Sequence, residues 1–144
     1  MSSYSGASAY KRGAGAYARV GVESGVMGAS PHQLIVMLFD GALASMRAAR
    51  IHMQSGNTAE KGLAISKALD IVNNGLMAAL DEEKGGEVAS RLASLYDYIA
   101  RLLLAANLHG DEKSLDQAEA LLGDVASAWR EIGGQAAASQ AGRG

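Results

Sequence analysis

Apolar residues recur at spacings of three and four through four segments of the chain, and this repeat limits the choice of fold. The last segment shows it most regularly, at Leu115, Ala118, Leu122, Val125, Trp129 and Ile132. Such spacing places side chains on one face of an α-helix and is typical of helices that pack in a bundle. No segment of useful length alternates apolar and polar residues, as a half-buried strand would. The sequence therefore predicts an all-α protein.

Start and stop signals bound each helical segment. Ser30, Pro31 and Gln33 have the order of a capping box with proline at the first helical position, so the first helix is expected to run from Pro31 to about Gln54. Similar signals predict three further helices, over about 57–80, 87–108 and, after a cap at Asp111 or Ser114, 115–132. Because the turns between them are short, neighbouring helices should be antiparallel. The prediction is an antiparallel up-down four-helix bundle.

Glycine divides the chain into three predicted regions. Of 18 glycines, six lie before residue 30 and four after residue 132. Glycine is unfavourable in helices, so residues 1–29 are expected to be a short mobile leader that can form a cap helix at 16–22. Residues 30–132 are expected to form the four-helix bundle, and Gly133 begins a predicted disordered tail at 133–144.

Charge and composition exclude several classes of partner. Thirteen basic and fifteen acidic residues give a net charge of −2, which provides no electrostatic reason to expect binding to nucleic acid or to an anionic membrane. The absence of cysteine excludes disulfides and thiolate metal sites. No apolar run reaches the ~18 residues of a membrane span, and the N-terminus lacks the apolar region of a signal peptide. We expect a cytoplasmic protein without stable membrane insertion.

Residue patterns that would support catalysis or a cofactor are not found. A di-iron bundle uses Glu-x-x-His pairs, but alanine stands three residues before His32, His52 and His109. Residues 13–18, GAGAYA, match the loose dinucleotide fingerprint, yet no predicted strand precedes them. We therefore expect no enzymatic activity, no catalytic residues, no metal and no cofactor.

The first helix carries more apolar surface than one bundle seam uses. Leu34 to Phe39 are six consecutive apolar residues, and at about 100° per residue they cover the whole helix circumference. Two explanations remain open from this pattern. The helix is buried centrally or at a dimer interface, or it borders a groove for an apolar helical partner.

Several segments together resemble a known family. They are AYARVGVESGVMGASPHQLIVMLFDGAL at 16–43, SKALDIVNNGL at 66–76, LASLYDYIARLLLAANL at 92–108, and the tryptophan at position 129. In order and spacing these pieces resemble the flagellin export chaperones of the FliS family, over roughly residues 16 to 132. The resemblance implies a cytoplasmic, non-enzymatic chaperone that binds the disordered C-terminal segment of flagellin. By covering that segment, such a chaperone prevents premature polymerisation and delivers flagellin to the export gate of the flagellar type III apparatus.

Helical periodicity suggests where cargo would bind. Four positions beside the main stripes are candidates for a flagellin-binding groove bordered by the second, third and fourth helices: Ile71, Leu76, Leu103 and Leu121.

The leader is expected to act as a lid over an empty groove or as an export-gate contact, through Tyr17, Val20 and Val22. The family resemblance associates the position of Tyr17 with gate contact, although Ala14 stands where relatives often carry a bulkier aliphatic residue. Two alternatives to flagellin export remain: a structural or regulatory homodimer, and a chaperone of another secreted helical substrate.

Overall fold

Four helices form the part of the chain that the computed structural model describes, which is the backbone of residues 28–143 and the side chains of residues 28–133. They are α1 (Pro31–Gln54), α2 (Thr58–Asp70), which continues as a π-helix (Ile71–Met77), α3 (Glu82–His109) and α4 (Glu112–Arg143). The prediction of an all-α helical bundle is confirmed. The candidate leader residues Tyr17, Val20 and Val22 lie outside the described residues.

The start of α1 is held by the capping box that the sequence predicts. The backbone N–H of Gln33 donates to Ser30 Oγ at 3.1 Å, and the backbone N–H of Ser30 donates to Gln33 Oε1 at 2.8 Å. Pro31 occupies the first turn, where its missing N–H costs nothing. A cap of this kind stabilises a helix by about 1 kcal/mol. It fixes the residue at which α1 begins.

Contacts between helix ends show that neighbouring helices are antiparallel. Lys61 in the first turn of α2 reaches Asn107 in the last turn of α3. Arg50 near the end of α1 reaches Asp116 near the start of α4. In the same way, Arg130 late in α4 contacts Asp40 early in α1. The helices therefore follow one another around the bundle, and α4 closes it against α1.

The core draws side chains from every helix. Its largest fully buried members are Phe39, Met46, Ile65, Val72, Leu76, Ile99, Leu103, Leu115 and Leu122. Burying one such side chain contributes roughly 1.5–3 kcal/mol. On α1, Phe39 and Met46 face this core, whereas Met37 and Ile51 are exposed. The apolar excess of α1 is therefore divided between the core and the surface.

The predicted second helix differs from the observed one in its last two turns. Residues Ile71–Met77 are π-helical, with the wider i→i+5 hydrogen bonding that often marks functional positions. Asn73, Asn74 and Gly75 are weak α-helix formers, which lowers the preference for ordinary α-geometry in this segment. The widened turns still bury Ile71 and Leu76, so packing is kept while the hydrogen-bond pattern changes.

The other two helices differ from prediction at glycines. Helix α3 begins with one turn, capped by Asp81, ahead of a break at Gly86, whose φ of 57° and ψ of −131° favour glycine. The regular helix then starts at Glu87, as predicted. Asp111 stands directly before α4 and accepts a hydrogen bond from the backbone N–H of Lys113 at 3.1 Å. The prediction that Gly133 ends α4 is wrong, because the helix continues to Arg143.

Candidate protein-binding groove

An apolar groove follows half of the seam between α3 and α4. At its closed end Gln117 Nε2 donates to the hydroxyl of Tyr98 at 3.0 Å. Because the two helices are antiparallel, residues before Tyr98 lie opposite residues after Gln117. We define the α3/α4 groove by the apolar residues beyond this bridge: Val88, Leu92, Leu95, Leu121, Val125 and Ile132.

Exposure increases along the α3/α4 groove towards the start of α3. Leu92 and Val125 are half-buried and pack against the core. Further along, Val88 is 68% exposed and Ile132 58% exposed. The break at Gly86 lies just beyond this open end. The groove therefore offers a graded apolar surface that would suit the apolar face of a helix.

The opposite seam of α4 has a different character, because charged residues bridge it. Arg47 pairs with Glu119 at 3.0 Å, and Arg50 pairs with Asp116 at 2.8 Å and also with Glu119. The hydrogen bond to Glu119 raises the pKa of the Arg50 guanidinium above its usual value. These bridges cover the outer edge of the α1/α4 seam, so an apolar partner gains little there. The polar bridge between Tyr98 and Gln117 leaves the rest of the α3/α4 groove open.

Further exposed leucines lie on α2 and towards the end of α3. Leu63 is 72% exposed on α2, and Leu104 and Leu108 are 55% and 79% exposed on α3. Between these two helices Lys61 is buried, and its Nζ donates to the backbone carbonyl of Asn107 at 3.1 Å. A cation at a helix C-terminus stabilises the last carbonyls. Lys61 therefore ties the first turn of α2 to the last turn of α3.

Aromatic stacking closes the end of the bundle where α1 begins. The rings of His32 and Trp129 lie with centroids 5.0 Å apart and planes 10° apart. Trp129 Nε1 also donates to the backbone carbonyl of His32 at 3.3 Å. A Cβ at Gly133 would overlap the His32 ring, so this glycine permits close approach of α1 to α4. These contacts hold the first turn of α1 against Trp129, which lies about one helical turn before Ile132 in α4.

The four predicted groove residues have different surroundings. Ile71, Leu76 and Leu103 are enclosed by the core, at 5%, 2% and 0% exposure. Leu121 is half-buried and lies in the α3/α4 groove. The core is wider than a single 3–4 stripe, which is why positions beside the stripes are buried. Whether any of the four contacts cargo stays a prediction.

Sequence periodicity assigned most of the α3/α4 groove to the core. Val88 and Ile132 continue the main stripes of their helices, yet both are largely exposed. The glycine pair before Glu87 is the signal that could have indicated an uncovered end, since a helix that starts at a break has fewer neighbours there.

Among the described residues no cluster of His, Cys, Asp or Glu could hold a metal ion. None of the described helices is long and apolar enough to cross a membrane.

Comparison with known proteins assigns the family. The family model described as "Flagellar protein FliS" matches residues 13–136. The flagellar secretion chaperone FliS of Salmonella typhimurium is 54% identical over 117 residues, covering 81% of this chain and 87% of the relative. The flagellar secretion chaperone FliS of Escherichia coli is 47% identical over 120 residues, covering 83% of this chain and 88% of the relative. The flagellar secretion chaperone FliSB of Pseudomonas aeruginosa is 42% identical over 116 residues, covering 81% of this chain and 91% of the relative. The chain belongs to the FliS family, whose members are secretion chaperones and not enzymes.

Proposed function

We propose that this chain binds the C-terminal segment of flagellin, prevents its polymerisation in the cytoplasm, and delivers it to the export gate of the flagellar type III apparatus. The observation that supports this most directly is the α3/α4 groove, where the apolar side chains of Val88 and Ile132 are largely exposed. The names of the relatives support an export chaperone role.

Groove binding suits a segment that is disordered until it is bound. Ordering such a segment costs roughly 2–5 kcal/mol. Covering Val88 and Ile132, which are 68% and 58% exposed, returns about 1–2 kcal/mol for each side chain. These two contacts together return about 2–4 kcal/mol, which is comparable to the ordering cost, so contacts with the half-buried groove residues would supply the remaining margin. The complex would then be stable enough to protect flagellin and weak enough to release it at the gate.

A long cargo segment would have further apolar surface to contact. Leu104 and Leu108 project from the same helix that forms one wall of the α3/α4 groove, but near its other end. Of the candidates from periodicity, Leu121 is already at the groove. Ile71, Leu76 and Leu103 would contribute to cargo binding only if the helices moved apart around them.

We further propose that the leader is a lid or gate contact through Tyr17, Val20 and Val22. The leader ends at Ala29, directly before the Ser30 cap. His32, three residues after the end of the leader, stacks on Trp129, which lies three residues before Ile132 in α4. A leader that ends here is within reach of the groove. A pulldown with the export-gate protein tests the gate contact, because Tyr17→Ala should weaken docking without reducing flagellin binding.

A matched pair of isoleucines tests the cargo site. Ile132 in the α3/α4 groove is 58% exposed, and Ile51 on α1 is 61% exposed. Calorimetry with a flagellin C-terminal peptide should show that Ile132→Asp weakens binding by about 1–2 kcal/mol, which is roughly 5–30-fold. Ile51→Asp should bind the peptide like the unmodified chain. Equal losses in both variants would refute binding in this groove, and no binding by the unmodified chain at micromolar concentration would refute the proposed function.

A further inference from the structure

Asn74 differs from the other asparagines of the chain because a glycine follows it. The sequence has asparagine at positions 57, 73, 74 and 107, and only the third of these precedes glycine. An asparagine side chain can react with the backbone nitrogen of the next residue. Glycine hinders this reaction least, because it has no Cβ and adopts many backbone conformations. Asn74 is therefore the asparagine whose sequence context most favours deamidation.

The side chain of Asn74 is accessible to water. It lies in the π-helix Ile71–Met77, which we call the π segment, and it is exposed. Its Nδ2 donates to Asp70 Oδ1 at 2.7 Å, about one turn earlier. Water can therefore reach the carboxamide, which the hydrolytic step of deamidation requires.

The backbone of the π segment opposes the reaction. In a helix the backbone N–H of Gly75 is directed along the axis towards a carbonyl of the preceding turn, so its nitrogen is held away from the Asn74 side chain. The segment must open locally before these two groups can meet. Buried side chains of Ile71, Val72 and Leu76 hold it closed, packed against α1 and α3. This packing limits how often the Gly75 nitrogen becomes available.

Two features make local opening easier than unfolding of the whole bundle. Asn73, Asn74 and Gly75 are weak helix formers, and the π segment ends at Met77, two residues after Gly75. Helix ends open at a lower free energy than the core of a domain. Among the described residues, α4 makes no close backbone contact with the π segment. The contacts of α4 with α1 and α3 can therefore persist while the π segment opens.

We propose that Asn74 is a site of spontaneous deamidation and that local opening of the π segment controls its rate. The backbone nitrogen of Gly75 attacks Cγ of Asn74, and the new N–Cγ bond replaces the Cγ–Nδ2 bond. The side-chain NH₂ group leaves as ammonia with the proton of the Gly75 amide. Water then opens the cyclic imide at either carbonyl, which gives aspartate or isoaspartate at position 74. The reaction consumes only water, so it does not depend on cargo binding or on the proposed function.

Either product disfavours the closed π segment. A carboxylate at position 74 lies four residues after Asp70, and like charges at this spacing destabilise a helix. The carboxylate also lies in the last turn, where the helix dipole disfavours negative charge. Isoaspartate further adds a methylene group to the main chain, which disrupts helical hydrogen bonding. The packing of Ile71 and Leu76 should therefore weaken as the modified form accumulates.

Peptide mapping by mass spectrometry tests the site. The full chain, kept folded in neutral buffer for several weeks, should gain the mass of deamidation at Asn74, in two product peptides that chromatography separates. Asn57 is exposed before α2 and precedes threonine, so it is an internal control that should react more slowly. Asn74→Gln should remove the signal, because glutamine closes the corresponding ring much less readily. An Asn74 that stays intact, or faster reaction at Asn57, would overturn the proposal.

Two buried leucines test whether local opening controls the rate. Leu76 in the π segment is 2% exposed, and Leu122 in α4 is 0% exposed. Leu76→Ala should accelerate deamidation of the folded chain about tenfold or more, because lost packing makes opening more frequent. Leu122→Ala destabilises the bundle away from the π segment and should accelerate deamidation much less. Equal acceleration by the two substitutions would show that global unfolding controls the rate and would overturn local control.

Two checks keep this comparison valid. Each rate is divided by the rate of the same variant unfolded in urea, which removes any effect of the substitution on the intrinsic chemistry. Circular dichroism checks that the variants fold, and the milder Leu76→Val replaces Leu76→Ala if the alanine variant does not.

Asn74→Asp reproduces one product and tests its effect on the fold. Its Tm should lie about 2–6 °C below that of the unmodified chain. Asn57→Asp adds the same charge at the N-terminal end of α2, where the helix dipole favours it, and should not lower the Tm. An unchanged Tm for Asn74→Asp would contradict the proposed weakening of the π segment.

Discussion

Gly123 and Gly133 both lie in α4, and the same substitution should affect them differently. A Cβ added at Gly123 meets no atom within 4 Å. Alanine is favoured over glycine inside a helix by about 1 kcal/mol. Gly123→Ala should therefore raise the free energy of unfolding by about 1 kcal/mol, which raises the Tm by about 4 °C for a chain of this size.

Gly133→Ala should not produce the same gain. The new Cβ would overlap the His32 imidazole, so the ring must move away from Trp129. Losing an aromatic stack costs about 0.5–1.5 kcal/mol. Subtracting this from the helix-propensity gain of about 1 kcal/mol leaves a net change within about 0.5 kcal/mol of zero. The difference between the stability changes of the two substitutions thus measures the contact between α1 and α4.

Urea denaturation followed by circular dichroism would measure both changes. A second background isolates the cause, because His32→Ala removes the ring that blocks the new methyl group. In that background Gly133→Ala should stabilise the chain about as much as Gly123→Ala does, which is a non-additive pair in a double-mutant cycle. Trp129 is the only tryptophan in the chain, so its fluorescence reports the loss of the stack independently. If Gly133→Ala alone stabilises as much as Gly123→Ala, the proposed ring contact is incorrect.

Two further predictions concern buried polar side chains. Lys61→Met keeps much of the aliphatic packing but removes the donor to Asn107, so the free energy of unfolding in urea should fall by about 1–3 kcal/mol. Lys67→Met, at an exposed lysine of the same helix, should change the free energy of unfolding by less than about 0.5 kcal/mol. Equal effects of the two substitutions would contradict a stabilising hydrogen bond from Lys61 to Asn107. Burial raises the pKa of Tyr96 from 10.0 to about 12, so the stability that its protonated form contributes below pH 10 is lost as pH rises towards 12. Tyr96→Phe should make the alkaline fall in Tm shallower, and an unchanged slope would contradict this.

Features set by neighbouring residues could be predicted from the sequence. The cap of α1 depends on Ser30 and Gln33, three positions apart, and it forms as expected. The start of the regular part of α3 at Glu87 also follows from adjacent glycines. In both cases the interacting groups are close in the chain, so a local pattern contains all the necessary information.

Features set by distant residues could not be predicted in this way. Gly133 was expected to end a helix, but its role depends on His32, about one hundred positions earlier in the chain. Periodicity likewise gives the angle of a side chain around its helix and not the presence of a helix to cover it. Leu103 lies beside its stripe and is buried, whereas Val88 lies on its stripe and is exposed. The α3/α4 groove results from this incomplete cover.

The two seams of α4 respond to different properties of the solvent. The α1/α4 seam is bridged at its edge by ion pairs of Arg47 and Arg50, which dissolved salt screens. The α3/α4 groove is apolar, and attraction between apolar surfaces persists in salt but weakens on cooling. A chain that binds its cargo through the groove would therefore retain its affinity for cargo during osmotic stress, when ion concentrations rise. Low temperature, rather than high salt, would be the condition that weakens cargo binding.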